Sequence, residues 1–258
     1  MAQDRLTSRE RQVTDLYGDL HRHAGDSYAL EHLLPGFQRH LAALGLNPQE
    51  ALRGLSFLDA GCGGFGGGVA VARALGARSI VGVDLSEQNV AAARQRFAGA
   101  PEVSFQQENL LALSLGSDSF DFVYCIGVLH HTEAPEQAFR ELVRVLKPGG
   151  RIYIGVYGRG GLFNEIAVPA MKLAGRIVPR PLMARLVGLV PRLRRPSSSL
   201  MDFMYVPIEI HYRRAEVERW FSDAGMAPTF LRHYYQPDTL RTRLLFGEGT
   251  MLFFSAVK

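Results

Sequence analysis

Asp59, Asp84, His130 and His131 are the residues of this chain whose types and surroundings could do chemistry. Asp59 ends an apolar run (Leu55, Phe57, Leu58) and stands before Gly61, Gly63, Gly64, Gly66, Gly67 and Gly68. Glycine tolerates positive φ and lets a ligand approach the main chain, so this stretch reads as a ligand loop. Gly61, Gly63 and Gly66 satisfy the G-x-G-x-x-G spacing of a dinucleotide site. A dinucleotide lays its pyrophosphate on a helix N-terminus. A carboxylate beside that anion is unfavourable, whereas Asp59 suits a ligand carrying positive charge. A glycine-rich turn with no ligand is the plainest alternative. Asp84 follows Gly63 by 21 residues. A carboxylate about 20 residues past such a loop can accept both hydroxyls of a ribose. Capping of the next helix is its structural alternative, though Ser86 does that more naturally. His130 and His131 could take a proton from a hydroxyl or ammonium near neutral pH, or serve only to pack and cap.

The elements that must position these groups alternate. The spacing of Leu30, Leu33, Leu34, Phe37, Leu41 and Leu44 predicts an amphipathic helix within a helical stretch 1–50, with Ser8 as the cap of an earlier helix. Strands are predicted at 55–58, 79–84, 103–106, 119–126 and 151–157, with helices after the glycine loop, after Ser86 and from Pro135. Short links between strand and helix imply a parallel sheet with right-handed crossovers. The helix 215–224 ends at Gly225. Two last strands, 228–235 and 250–257, close the chain.

Composition narrows the class. Hydrophobic residues at 47% and charged residues at 21% are those of a soluble globular protein. The first ten residues lack the apolar core of a signal peptide, and no uncharged run approaches the ~18–20 residues of a membrane-spanning helix. Cys62 and Cys125 suggest neither a disulfide framework nor a zinc site, which fits a reducing cytoplasm. His21-x-His23 lacks a third ligand, so no metal is expected. Charge is uneven. Between Arg159 and Pro196 eight basic residues face only Glu165, so this segment carries +7 while the whole chain carries +4. It mixes apolar residues with five prolines and reads as a helical insertion. It is either a solvated cap or, through Val187, Leu189 and Leu193 with Arg185, Arg192 and Arg194, a membrane-surface stripe. Contact with tRNA phosphates is conceivable, but few aromatic residues interleave the cluster, which argues against nucleic acid.

Asp59-Ala-Gly-Cys-Gly63, Val83-Asp84, Phe120-Asp121, Gly127-Val-Leu-His-His131 and Arg144-Val-Leu-Lys-Pro-Gly-Gly150 fall in the order and spacing of class I S-adenosylmethionine-dependent methyltransferases, whose small-molecule branch the chain resembles. The match is tight over about 50–158. Phe65 stands where the family usually has a third glycine. The resemblance implies an α/β fold: a doubly wound, mostly parallel seven-stranded sheet with an antiparallel last strand. It implies an N-terminal helical lid (1–50), a cofactor-binding core (51–158), a basic insertion (159–205) and a C-terminal completion of the core (206–258). It assigns to S-adenosylmethionine the residues Asp59, Gly61, Gly63, Asp84, Leu85, Asn109, Leu110 and Ile126, with Asn109 and the Leu110 amide reading adenine; turn chemistry would also explain Asn109. His130 and His131 are the candidate bases. Tyr17, Tyr157, Tyr205 and His211 are the candidate acceptor contacts. The expected reaction is methyl transfer to oxygen or nitrogen of a small molecule. Remaining alternatives are a tRNA or quinone acceptor, an NAD(P)-binding oxidoreductase, and a binding protein without turnover.

Overall fold

The computed structural model describes residues 7–21, 29–189, 203–232 and 239–258. Seven strands form one sheet in the order β3-β2-β1-β4-β5-β7-β6. They are β1 (Ser56–Ala60), β2 (Ser79–Asp84), β3 (Val103–Gln107), β4 (Phe120–Ile126), β5 (Leu146–Tyr157), β6 (Thr229–Leu231) and β7 (Met251–Val257). β1 to β5 are mutually parallel, and β7 runs antiparallel between β5 and β6. This is the sheet expected from the alternation. Strand order reverses at β1, which pairs with both β2 and β4. Such a switch point opens a crevice at the carboxyl ends of the strands.

Helices cover both faces. On one side α2 (Leu34–Ala43), α3 (Gly67–Ala74) and α4 (Glu87–Arg96) bury Phe37, Leu41, Val69, Ala72, Val90 and Ala93 against the sheet. On the other, α5 (Pro135–Val145) and α8 (Arg214–Asp223) bury Phe139, Leu142, Val217, Trp220 and Phe221. Burial of each large side chain contributes ~1.5–3 kcal/mol, so these two layers hold the strand ends in place. At the opposite edge Asp121 accepts from Ser56 N–H (2.9 Å) and Lys147 Nζ (2.8 Å), tying β1, β4 and β5 together.

One detail differs from expectation. Helix α1 (Ser8–His21) is capped by Thr7, not Ser8. Thr7 Oγ1 accepts the Glu10 N–H (3.1 Å) and Glu10 Oε2 accepts the Thr7 N–H (2.9 Å), a reciprocal box in which both orphan donors are satisfied. Between the last two strands, which pair antiparallel, lies α9 (Leu240–Phe246), its N-terminus capped by Thr239 through the Thr242 N–H (3.2 Å). The segment after β5 contains a π-helical turn (Phe163–Ala167), α6 (Val168–Ile177) and α7 (Arg180–Leu189).

Candidate active site

The glycine loop owes its path to three residues with positive φ: Gly61 (84°), Gly63 (62°) and Gly66 (59°). A Cβ at Gly61 would collide with the side chain of Val128, from the loop after β4. The two loops that flank the crevice therefore touch at a glycine. Where the related pattern has a third glycine, Phe65 folds its ring over Gly67, beside Leu33. The left-handed turn comes one residue later, at Gly66, the N-cap of α3.

β1 delivers Asp59 to the buried start of α3. Its Oδ2 accepts the Val69 N–H at 3.0 Å, satisfying one orphan donor of the helix. A Cβ at Gly68 would lie 2.6 Å from Asp59 Cγ, so this approach needs glycine there. Burial pushes the Asp59 pKa up to about 7, with nearby Asp84 adding to the rise and the Val69 and Gly68 amides opposing it.

Asp84 ends β2 and ties the crevice together. Its Oδ2 accepts the Gly63 N–H (2.9 Å), while Oδ1 accepts the Ser86 N–H (2.9 Å) and Asn89 Nδ2 (3.1 Å). Ser86 caps α4 as expected, accepting the Asn89 N–H at 3.4 Å. The next residue, Leu85, holds Gln107 by its carbonyl (3.1 Å), which fixes the β2 and β3 ends side by side. Asn109 Oδ1 accepts the Leu111 N–H (2.9 Å) in a local turn, and its Nδ2 faces Glu10 Oε1 at 3.4 Å. Leu110 is buried. Glu10 was not legible as a site residue, although the spacing Thr7-x-x-Glu10 was a visible helix-start signal. Through it α1 reaches the end of β3, and Thr7 also bonds Glu133 (2.8 Å) in the loop ahead of α5.

Beyond Ile126, the last residue of β4, His130 and His131 occupy a 3-10 turn and are buried. His130 Nδ1 accepts the Tyr157 N–H (3.3 Å), its ring lies 3.9 Å from that of Tyr157, and its buried Nε2 meets no partner among the described residues. Burial first, then the neighbouring His131 and His211, hold its pKa well below the ordinary value, so it is a neutral ring. His131 donates Nδ1–H to the Ile208 carbonyl at 2.7 Å. That tautomer makes Nε2 its basic nitrogen.

Tyr157 brings the insertion to this cluster, its ring 5.6 Å from that of His211. His211 bridges the Gly158 carbonyl (3.0 Å) and Glu209 Oε1 (2.5 Å). Glu209, whose side chain is 0% exposed, also pairs with Lys172 on α6 (2.8 Å). Burial acts to raise its pKa, but His211 and Lys172 outweigh that and leave it lowered. A cleft of ≈ 440 Å³ opens here, lined by Arg159, Asn164, Lys172, Arg176 and His211. Nothing in the sequence pattern joined Lys172 to Glu209. Tyr205 turns elsewhere and donates its hydroxyl to the Val178 carbonyl (2.8 Å). The side chains of Tyr17 and His21, and the whole of His23, lie outside what is described.

Comparison with known proteins accords with this architecture. The family described as "Methyltransferase domain" matches residues 58–154. An uncharacterized protein of Synechococcus sp. is 31% identical over 213 residues, 71% of this chain and 50% of that one. A ubiquinone biosynthesis O-methyltransferase of Pseudomonas putida is 28% identical over 137 residues, 52% of this chain and 58% of its own. The chain thus spans about half the length of the curated relatives it matches. A crystal structure of an S-adenosylmethionine-dependent methyltransferase from Mesorhizobium loti superposes with a TM-score of 0.55 at 24% identity, covering 87% of this chain and 100% of that one. Residues 58–154 thus match the methyltransferase-domain family, and the seven-stranded sheet has the fold of S-adenosylmethionine-dependent methyltransferases.

Proposed function

We propose that this protein transfers a methyl group from S-adenosylmethionine to an oxygen or nitrogen atom of a small-molecule acceptor. The observation that carries this reading is Asp84 at the end of β2, hydrogen-bonded to the Gly63 amide of the glycine loop. An acid at a strand end beside a glycine loop at a switch point is the arrangement that would bind a ribose, which supports the reading. Three N–H donors occupy its two oxygens. An ionised carboxylate accepts about four, so capacity remains for a ribose hydroxyl. Asn109 and the Leu110 amide stand where adenine would be read.

S-adenosylmethionine, when bound, supplies a methyl group made electrophilic by its sulfonium. The chain's part is to hold the acceptor in line and to exclude water, and positioning can supply much of the rate. His131 is the better base of the two histidines, because its Nδ1 is committed to Ile208 and its Nε2 carries the lone pair. His130, neutral and covered by Tyr157, supports the ring positions. The cleft beside His211 and Tyr157 would receive the acceptor, and Arg159, Lys172 and Arg176 against Glu165 leave its lining net positive, which favours an acceptor bearing negative charge. A lipid-like quinone is the second reading. The name of the Pseudomonas putida relative suggests it, and the apolar surface described below favours it.

Calorimetric titration with S-adenosylhomocysteine, NADH and NADPH tests the proposal. Binding of the first alone is expected, and Asp84→Ala should weaken it ~100-fold, since hydrogen bonds to a charged group contribute ~1.5–3 kcal/mol each. Binding of a nicotinamide cofactor instead would reject the cofactor, and unchanged affinity in the variant would reject Asp84 as the ribose ligand.

A further inference from the structure

Helix α6 has its faces the wrong way round for a helix in water. Toward the body of the protein it presents buried Val168, Lys172 paired with Glu209, and Gly175 pressed against the Met204 backbone. Toward solvent it presents Leu173 and Ile177, 58% and 75% exposed, continuing a line from Leu162 and Ile166 at 55% and 61%. Intervals of four, seven and four residues keep these side chains on one stripe. A surface helix normally shows polar groups there, and contiguous exposed apolar patches mark interaction sites.

The stripe has an extension from a distant part of the chain. Helix α9 exposes Leu240 (76%) and Leu244 (60%) at i and i+4. It is fastened beside the stripe: a Cβ at Gly161 would come within 2.6 Å of the Leu245 carbonyl oxygen and the Phe246 nitrogen, and the Phe163 and Phe246 rings are 5.7 Å apart. Two segments some 80 residues apart in sequence therefore pack side by side, each with exposed apolar side chains. Exposed Arg159, Arg176, Arg185, Arg241 and Arg243 stand on the same segments, with Glu165 the only acid of 159–196. Among the described residues no helix is long and apolar enough to cross a membrane. Apolar side chains set among arginines on surface helices fit the headgroup boundary of a bilayer.

We propose that α6, α7 and α9 seat this protein on the surface of an anionic lipid bilayer, with Leu162, Ile166, Leu173, Ile177, Leu240 and Leu244 entering the acyl boundary and the arginines meeting lipid phosphates. The sequence placed a membrane stripe farther along, at 187–194. The side chains of that stripe lie outside the described residues; the surface on 162–177 and α9 is one that the spacing alone did not single out.

The test is co-sedimentation of the full chain with vesicles of phosphatidylcholine and phosphatidylglycerol, alongside vesicles of phosphatidylcholine alone. Salt-sensitive sedimentation with the anionic vesicles is expected. The double variant Ile177→Glu with Leu244→Glu should lower that partitioning at least ~10-fold, while its thermal unfolding and its affinity for S-adenosylhomocysteine stay unchanged because both positions face solvent. Arg176→Gln with Arg241→Gln keeps the apolar surface and should lose the preference for anionic over neutral vesicles. Protein that stays in the supernatant with anionic vesicles at low salt overturns the proposal, as does partitioning of either variant equal to wild type. A dimer that the glutamate variant dissociates, without vesicle binding by the wild type, would mean that a second copy of the chain covers this surface.

Discussion

Asp59→Asn gives direct access to the energetics of the ligand loop. The carboxyl is buried between β1 and α3, and burial pushes its pKa up to about 7, against ~3.9 in an unfolded chain. Because the folded value is the higher, the native state holds a proton that the unfolded state has lost at any pH between the two. Stability therefore falls as pH climbs from about 4 to about 7 and is unaffected by this group outside that window. A gap of about 3 units at 1.36 kcal/mol each sets an upper limit of about 4 kcal/mol on the loss. The asparagine amide cannot titrate, yet its oxygen can still accept the Val69 N–H. Urea unfolding of both proteins between about pH 4.5 and 8 is the assay. The wild type should lose stability across the window relative to the variant, and the difference should level off above pH 7. Parallel curves would refute the argument, for they would mean that Asp59 ionises in the folded protein as easily as in the unfolded chain.

Two further substitutions probe the frame of the crevice. Gly61→Ala should destabilise by ~2–5 kcal/mol, from a left-handed backbone costing ~1–2 kcal/mol and overpacking against Val128 costing ~1–3 kcal/mol. In a thermal-unfolding double-mutant cycle, adding Val128→Ala should recover only the second part; full recovery would deny the backbone its share. Glu209→Gln removes the buried partner of Lys172 and His211, and loss of one member of such a pair costs ~3 kcal/mol. The folded pKa of Glu209 is lowered, so its contribution is present above its unfolded value and lost as pH falls through the folded one. The variant should lack that acid-side slope in unfolding measured from neutral pH downward.

What the sequence determined by itself was everything carried by short spacings. Alternation of strand and helix, glycines where φ turns positive, Ser86 as a cap and acids at strand ends each depend on neighbours a few residues apart, and short links between strand and helix implied a parallel sheet with right-handed crossovers. The positions of Asp59, Asp84 and the His130–His131 pair were legible for that reason. Tertiary structure alone decided the rest. Glu10 meets Asn109 across 99 residues, Glu209 draws Lys172 and His211 together, and Gly161 admits α9. Asp59, read as the neighbour of a ligand's positive charge, also proves to fasten the first turn of α3. Whether an apolar side chain lies in the core or on the surface is likewise decided by which elements cover it. Ile177 and Leu142 look alike in a pattern of spacings. Only the packed fold buries one and leaves the other facing outward, because contact between distant segments has no periodic signature in the chain.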